Sequence, residues 1–337
     1  MTDIIMKPAD VILEIINIFF VVYLVGYSTF LFLSVTVGSS ELFKKKQQYR
    51  MMNAIENNYY IPISIIVPAY NEEITVTDTV KSLLTLDYKV YEIIVVDDGS
   101  GDDTSKVMIE EFQMEPVRMP IRRQLPCQQD EFVYETKIQN IHVSLIRKKN
   151  GGKADALNMG INASRYPYFI CIDADSVLQH DSLKKIALPL LENENVIAVG
   201  GSVRPSNGSV IENGRVVSYR LPKNLLASMQ TLEYDRNFLA SRILLDKFNG
   251  ALIISGAFGL FQKQLVIEAG GYDPNTMGED MELVVKLHEY CTANDIPYLI
   301  KYATDAICWS QVPESLRDLM KQRKRWHIGL FQSLWMH

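Results

Sequence analysis

The sequence predicts an α/β domain on a mostly parallel central sheet, preceded by one N-terminal transmembrane helix. Three observations lead there. Residues 15–37 contain no Asp, Glu, Lys or Arg, and at a rise of about 1.5 Å per residue such a run crosses the ~30 Å hydrocarbon core with a little tilt. Beyond residue 60, short apolar runs rich in β-branched residues alternate with stretches of helical spacing. That is the pattern of strands buried on both faces and linked by helices. Several of those runs stop at acidic or glycine-containing turns, and the carboxyl ends of parallel strands are where such sheets place their ligands.

Composition narrows the class. A chain of 337 residues, 47% hydrophobic and 22% charged, can bury a large core and is neither disordered nor low in complexity. A net charge of −6 argues against a general nucleic-acid binder, which carries a basic excess. The four cysteines form no Cys-x-x-Cys pair, so neither a zinc ribbon nor a disulfide framework is expected, and Cys171 reads as a small buried hydrophobe. This usage fits a reducing compartment.

Taken in order, the elements are these. The apolar run at 15–37 is too long for a signal peptide, and only Lys7 precedes it. Lys44, Lys45, Lys46 and Arg50 follow it, so the positive-inside rule places everything after residue 40 in the cytoplasm. Residues 39–60 read as a basic juxtamembrane linker able to meet anionic headgroups. Strands are expected at 63–67, 91–96, 142–146, 168–172, 196–203 and 298–302. Helices are expected at 75–86, 104–112, 153–164, 183–191, 225–245, 279–290 and 316–334. Residues 251–261, with Gly256 and Gly259, read as a strand or a tight loop, and residues 113–140, with three prolines, as a surface insertion.

Chemistry concentrates at the ends of these runs. Asp173-Ala174-Asp175 closes one strand; paired carboxylates suit Mg²⁺ or Mn²⁺ sharing a shell with phosphates, or are simply turn residues. Asp98, in Asp97-Asp98-Gly99-Ser100, closes a second and can accept hydrogen bonds from a nucleoside. Pro68-Ala69-Tyr70-Asn71-Glu72 closes a third; Tyr70 either stacks on a base or packs at an interface. Gly151-Gly152-Lys153 opens a helix whose N-terminus favours anions, or is an ordinary turn before a solvated lysine. Asp280 is either a helix N-cap or a general base. Gln322-Arg323-Lys324-Arg325-Trp326 is either a basic interfacial helix or a phosphate clamp with an aromatic sugar platform.

This ordered set resembles the membrane-bound family 2 glycosyltransferases, which include the cellulose, chitin, hyaluronan and poly-N-acetylglucosamine synthases. The motifs that carry it are Pro68-Ala69-Tyr70-Asn71-Glu72, Asp97-Asp98-Gly99-Ser100, Gly152-Lys153-Ala154, Asp173-Ala174-Asp175, Gly278-Glu279-Asp280 and Gln322-x-x-Arg325-Trp326, and they extend over about residues 62–337. Each motif alone is modest; six in order are specific.

The resemblance implies a GT-A nucleotide-sugar-binding domain at 61–312, behind a membrane segment at 1–38 and the linker at 39–60, with the Gln-x-x-Arg-Trp helix at 313–337. It implies a metal-dependent, inverting hexosyl- or N-acetylhexosaminyltransferase in the cell membrane. The donor would be a UDP-sugar and the acceptor a growing, β-linked polysaccharide or a lipid-linked glycan, with membrane lipids and other synthase subunits as partners. Pro68, Tyr70, Glu72 and Asp98 would line the uridine pocket. Lys153 and Asp173 would face the diphosphate, and Asp175, with Asp173, would hold Mg²⁺ or Mn²⁺. Asp280 would be the base, and Gln322, Arg325 and Trp326 would close over diphosphate and acceptor. The family continues into further transmembrane helices, so a chain cut before them is expected. Two positions depart from the processive pattern: Gly278 stands where Thr is frequent, and Glu282 where Asp is frequent. A single-addition transferase shares the whole donor site. A non-catalytic subunit would lose carboxylates that are present here, and a nucleotidyltransferase would lack the Gln-x-x-Arg-Trp element.

Overall fold

Ile63-Ser64-Ile65-Ile66-Val67 lies at the centre of the sheet because its side chains are apolar on both faces. In the computed structural model the described residues are 8–52, 60–118, 120–212 and 215–336. The first part of the chain forms α1 (Pro8–Met52), β1 (Ile63–Ala69), α2 (Val76–Leu83), β2 (Tyr91–Asp97) and α3 (Thr104–Phe112). Then come β3 (Glu115–Pro116), β4 (Asp130–Ile138), β5 (Ile141–Lys148), α4 (Lys153–Ala163), β6 (Tyr168–Cys171), β7 (Val177–Leu178) and α5 (Ser182–Glu192). They are followed by β8 (Val196–Pro205), β9 (Val210–Glu212), β10 (Arg215–Ser218), α6 (Leu225–Arg236), a π-helical turn (Asn237–Ser241) and α7 (Arg242–Lys247). The last elements are β11 (Gly259–Gln262), α8 (Lys263–Glu268), α9 (Glu279–Ala293), β12 (Leu299–Ser310) and α10 (Leu316–Met336).

Ten strands form one sheet in the order β3-β4-β5-β2-β1-β6-β11-β8-β12-β7. The centre, β5-β2-β1-β6, is parallel, as the alternation of strands and helices predicts. The sheet as a whole is mixed. The chain re-enters the sheet at β11 after a long excursion through β9, β10, α6 and α7, and β11 pairs antiparallel with both β6 and β8. β12 runs parallel to β8, and β7 and the β3–β4 edge are antiparallel.

Period-two alternation divides the core. Ile63, Ile65 and Val67 face Val80 of α2, Met108 of α3 and Leu183 of α5. Ile66, Ile94 and Val96 face Leu157 and Ile161 of α4 together with Leu283 and Leu287 of α9. Cys171 is buried in that second layer, as a small hydrophobe should be.

Several expectations change. The helix expected at 15–37 continues to Met52, so the first part of the expected linker is helical; no proline lies in 38–52, and Gly38 is the only glycine there. Residues 53–59 and the side chains of Lys44, Lys45, Lys46 and Arg50 lie outside the described residues. The expected insertion at 113–140 contributes two edge strands, β3 and β4, and Asn162 anchors the loop between them: its Oδ1 accepts from the N–H groups of Gln124 and Leu125, both at 2.9 Å. The helix expected at 225–245 is broken by the π turn, where Phe238 stacks on Tyr302 with centroids 6.0 Å apart and the Arg242 guanidinium lies 4.0 Å from the Phe238 ring centre. Residues 251–261 are a loop that ends in β11.

Val11–Phe43 is long and apolar enough to cross a membrane. Its second half packs on the domain. Arg236 donates to the Tyr27 hydroxyl at 3.0 Å, Glu41 pairs with Lys247 at 3.6 Å, and Leu42 packs on the cluster of Phe238, Ile243 and Tyr302.

Candidate functional site

The carboxyl ends of β1, β2, β5 and β6 meet the first turns of α4 and α9 along one edge of the sheet. Short polar bonds staple the first two strand ends together. Asn71, at φ 57°, donates its N–H to Ser100 Oγ at 3.0 Å and accepts from Gly101 N–H at 2.9 Å. The Glu72 N–H donates to Thr104 Oγ1 at 2.8 Å. Asp97 closes its own turn, accepting from Ser100 N–H at 2.8 Å and from the Ser105 hydroxyl. Gly99 has φ +71°, and a Cβ there would lie 2.9 Å from Asn150 N, so only glycine lets this turn press against the start of the α4 loop. Tyr70 is exposed beside it.

Asp98 is buried. Its carboxylate accepts from Lys148 Nζ, from Gly151 N–H at 3.0 Å and from Gly152 N–H at 2.7 Å. Lys148 is fully buried and also pairs with Asp155 at 2.6 Å. Asp155 in turn accepts from Gln128 N–H at 3.1 and 3.0 Å. Neither Lys148 nor Asp155 was expected from the sequence. Strand periodicity carries the missing signal: Ile146 faces the α4 layer, so Lys148, two residues on, faces it too. Register gives the partner, since Asp98 and Lys148 lie one step beyond the Asp97–Arg147 pair.

Lys153, at the start of α4, donates to Asp173 at 2.5 Å and lies 3.5 Å from Glu279. Burial opposes its charge, but Asp173 and Glu279, with Asp280 behind them, outweigh that and hold its pKa above the ordinary lysine value. This one ammonium joins α4, the end of β6 and the start of α9. Asp280 is not the N-cap of α9: that position is Gly278, and Asp280 lies inside the first turn. Its carboxylate accepts from Gly256 N–H at 3.1 Å. Asp175 sits at the exposed rim of the strand end, where the Ser176 hydroxyl donates to it at 3.4 Å; partial desolvation of its carboxylate together with neighbouring Asp173 raises its pKa.

Among the described residues no group of three or more His, Cys, Asp or Glu side chains can hold a metal alone. Asp173 and Asp175 still offer hard oxygen donors of the kind that take a divalent ion completed by phosphate oxygens and water. Asp173 already shares its charge with Lys153, which leaves Asp175 as the more available donor.

The Gln-x-x-Arg-Trp helix is held by a residue that was not singled out. Arg323 makes a two-pronged pair with Glu233 of α6, at 2.8 and 2.5 Å, and its guanidinium lies 4.6 Å from the Trp326 ring centre. Arg325 and Trp326 are exposed, and Gln322 Oε1 is buried without a hydrogen-bond partner among the described residues. The contact of α10 with the site runs through its last turns, where Gln332 Oε1 accepts from Met277 N–H at 2.9 Å.

Substituting Lys148→Met removes the only cation between two buried carboxylates. Stability should fall by about 3–5 kcal/mol, read as a lower melting midpoint of the detergent-solubilised chain. An unchanged midpoint would mean that Asp98 and Asp155 are held adequately by their N–H donors.

Comparison with known proteins places the fold and the family. The chain is 31% identical over 321 residues to the poly-β-1,6-N-acetyl-D-glucosamine synthase of Staphylococcus epidermidis, covering 93% of this chain and 67% of that protein. It is 33% identical over 272 residues to the protein of the same name in Staphylococcus aureus (strain COL), covering 79% of this chain and 54% of that one. The chain thus spans about half to two-thirds of the length of these relatives. A mannosyltransferase from Pyrobaculum calidifontis, solved with GDP-Man and Mn²⁺, superposes with a TM-score of 0.56 at 17% identity, covering 90% of this chain and 74% of that one, which supports the GT-A-like fold. The model described as "Glycosyl transferase family 2" matches residues 64–125, and "Glycosyltransferase like family 2" matches residues 126–329, more than half of the chain. With the strand-end acids inside those matches, the chain belongs to glycosyltransferase family 2.

Proposed function

We propose that this chain is the catalytic part of a membrane-anchored, inverting transferase that moves N-acetylglucosamine from a UDP-linked donor to the hydroxyl of a growing β-linked polysaccharide. The observation that carries the reading is the junction at Lys153, which draws the donor-side Asp173 and the α9 acids Glu279 and Asp280 into one cluster. The two named relatives supply the sugar.

In this reading Pro68, Tyr70, Glu72 and Asp98 line the uridine subsite, and Asp98 also braces the loop that carries Lys153. Lys153 holds the diphosphate through its ammonium. Asp173 and Asp175 are the residues that would hold Mg²⁺ or Mn²⁺, which when bound neutralises charge on the diphosphate leaving group. Asp280 takes the proton from the acceptor hydroxyl as it attacks the anomeric carbon opposite the leaving group, and one base suffices for a single inverting displacement. Gln322, Arg325 and Trp326 close over the diphosphate and the acceptor end; the unpartnered Gln322 carboxamide oxygen supports a role met only when substrate is bound.

Asp280→Asn keeps an oxygen for the Gly256 N–H and removes the base. Turnover of UDP-N-acetylglucosamine should fall roughly 10²–10⁴-fold while UDP affinity, measured by calorimetry, is retained. Near-normal turnover would send the search for the base to Glu279.

Asp175→Asn, or chelation of divalent ions from the unaltered chain, should abolish turnover. Full activity in excess EDTA would refute the metal requirement.

The positive charges at 44–50 support a catalytic domain on the cytoplasmic side of the cell membrane. A cysteine placed at position 45 should resist an impermeant thiol reagent in intact cells; ready labelling would reverse the topology.

A further inference from the structure

Helix α10 crosses the loop that leads into α9 with no side chain between the two backbones. A Cβ on Gly278 would lie 2.9 Å from Gly329 Cα and 3.1 Å from its carbonyl carbon. A Cβ on Gly329 would lie 2.7 Å from both N and Cα of Gly278. Every atom met is backbone, so no side chain can swing aside to relieve the clash. Glycine is unfavourable in a helix interior, and Gly329 sits well inside α10 (Leu316–Met336). The close crossing is a packing reason to keep it there. A hydrogen bond pins the same place: Gln332, one turn beyond Gly329, accepts from Met277 N–H at 2.9 Å, and its Oε1 lies 3.5 Å from the Thr276 hydroxyl. Asp280 follows Gly278 by two residues, and Gly256 N–H fixes its carboxylate at 3.1 Å.

We propose that the Gly278–Gly329 crossing is a positioning contact that sets Asp280 and the Gln322-x-x-Arg325-Trp326 helix in one fixed relation. The proposal rests on Asp280 being the base. It also accounts for the departure at Gly278. Where the processive synthases this chain resembles often carry Thr, the backbone of α10 occupies the space a side chain would need. Restoring Thr here should therefore damage the enzyme.

The test compares Gly278→Thr, Gly329→Ala and Gln332→Ala in the full chain, measuring kcat, donor KM and UDP affinity. A misplacement of about 1 Å costs about 10²-fold in rate, so kcat for Gly278→Thr should fall by that order while donor KM and UDP affinity, carried mainly by the ends of β1, β2 and β6, change far less. Gly329→Ala should behave alike. Gln332→Ala adds no atoms and should lower kcat several-fold with the same split. If Gly278→Thr loses UDP binding as well, the fold has been disturbed, and Gln332→Ala decides: unchanged kcat overturns the proposal. Wild-type kcat in Gly278→Thr overturns it outright. An inactive Asp280→Asn beside a fully active Gly278→Thr would refute the positioning contact alone, whereas an active Asp280→Asn would refute the base itself.

Discussion

The candidate site depends on Lys148, an ammonium with no exposure to solvent, held between Asp98 and Asp155. Burying three charges is costly unless each charged group finds hydrogen-bond partners. Here each does. Asp98 takes the Gly151 and Gly152 N–H groups, Asp155 takes that of Gln128, and Lys148 also donates to the Lys149 carbonyl at 2.8 Å. The triad therefore ties together the end of β2, the end of β5, the loop into α4 and the loop of the β3–β4 edge. Lys153 follows directly on Gly152, so its reach towards Asp173 and Glu279 is set by a bond made deeper in the fold.

Much of the centre was legible because both faces of the parallel strands are buried. Runs such as Ile65–Val67 and Ile93–Val96 are apolar without alternation, and they end where polar turns must begin. The edge was not legible. β4 is largely exposed, so its residues Asp130, Glu131, Glu135 and Lys137 carry no alternating apolar signal. β7 is only Val177–Leu178, and β12 extends well beyond the short strand expected at 298–302 because it pairs along nearly all of β8. At the site, the acids at strand ends could be read as motifs, since the chemistry is local. The Lys148 triad, Arg323–Glu233 and Gly278–Gly329 could not, because each joins segments distant in sequence and needs the fold before its partner is known.

The candidate membrane helix α1 is also part of this packing. Gly38 brings α1 so close that a Cβ there would lie 3.0 Å from the Leu239 carbonyl in the π turn. That turn shifts the register between α6 and α7, and Phe238, Arg242 and Tyr302 fill the space beside it. The same α6 supplies Glu233 to Arg323. A chain of contacts thus runs from α1 through α6 to the helix bearing Gln322, Arg325 and Trp326, and from there through Gly329 to the start of α9.

Charge balance explains why a cluster so arranged suits a diphosphate only in company. Asp173, Asp175, Glu279 and Asp280 place four carboxylates around the single ammonium of Lys153. This excess raises the pKa of Lys153, and desolvation with Asp173 beside it raises that of Asp175. A diphosphate brought against these acids meets repulsion that one lysine does not cancel. Further cationic charge must enter with it, from a divalent ion on the Asp175 side, from arginines of α10, or from both. Under the proposed function, division of labour follows from position: charge beside Asp173 and Asp175 would act on the leaving group, while Asp280, at the start of α9 with its carboxylate accepting from the Gly256 N–H, would face the acceptor hydroxyl.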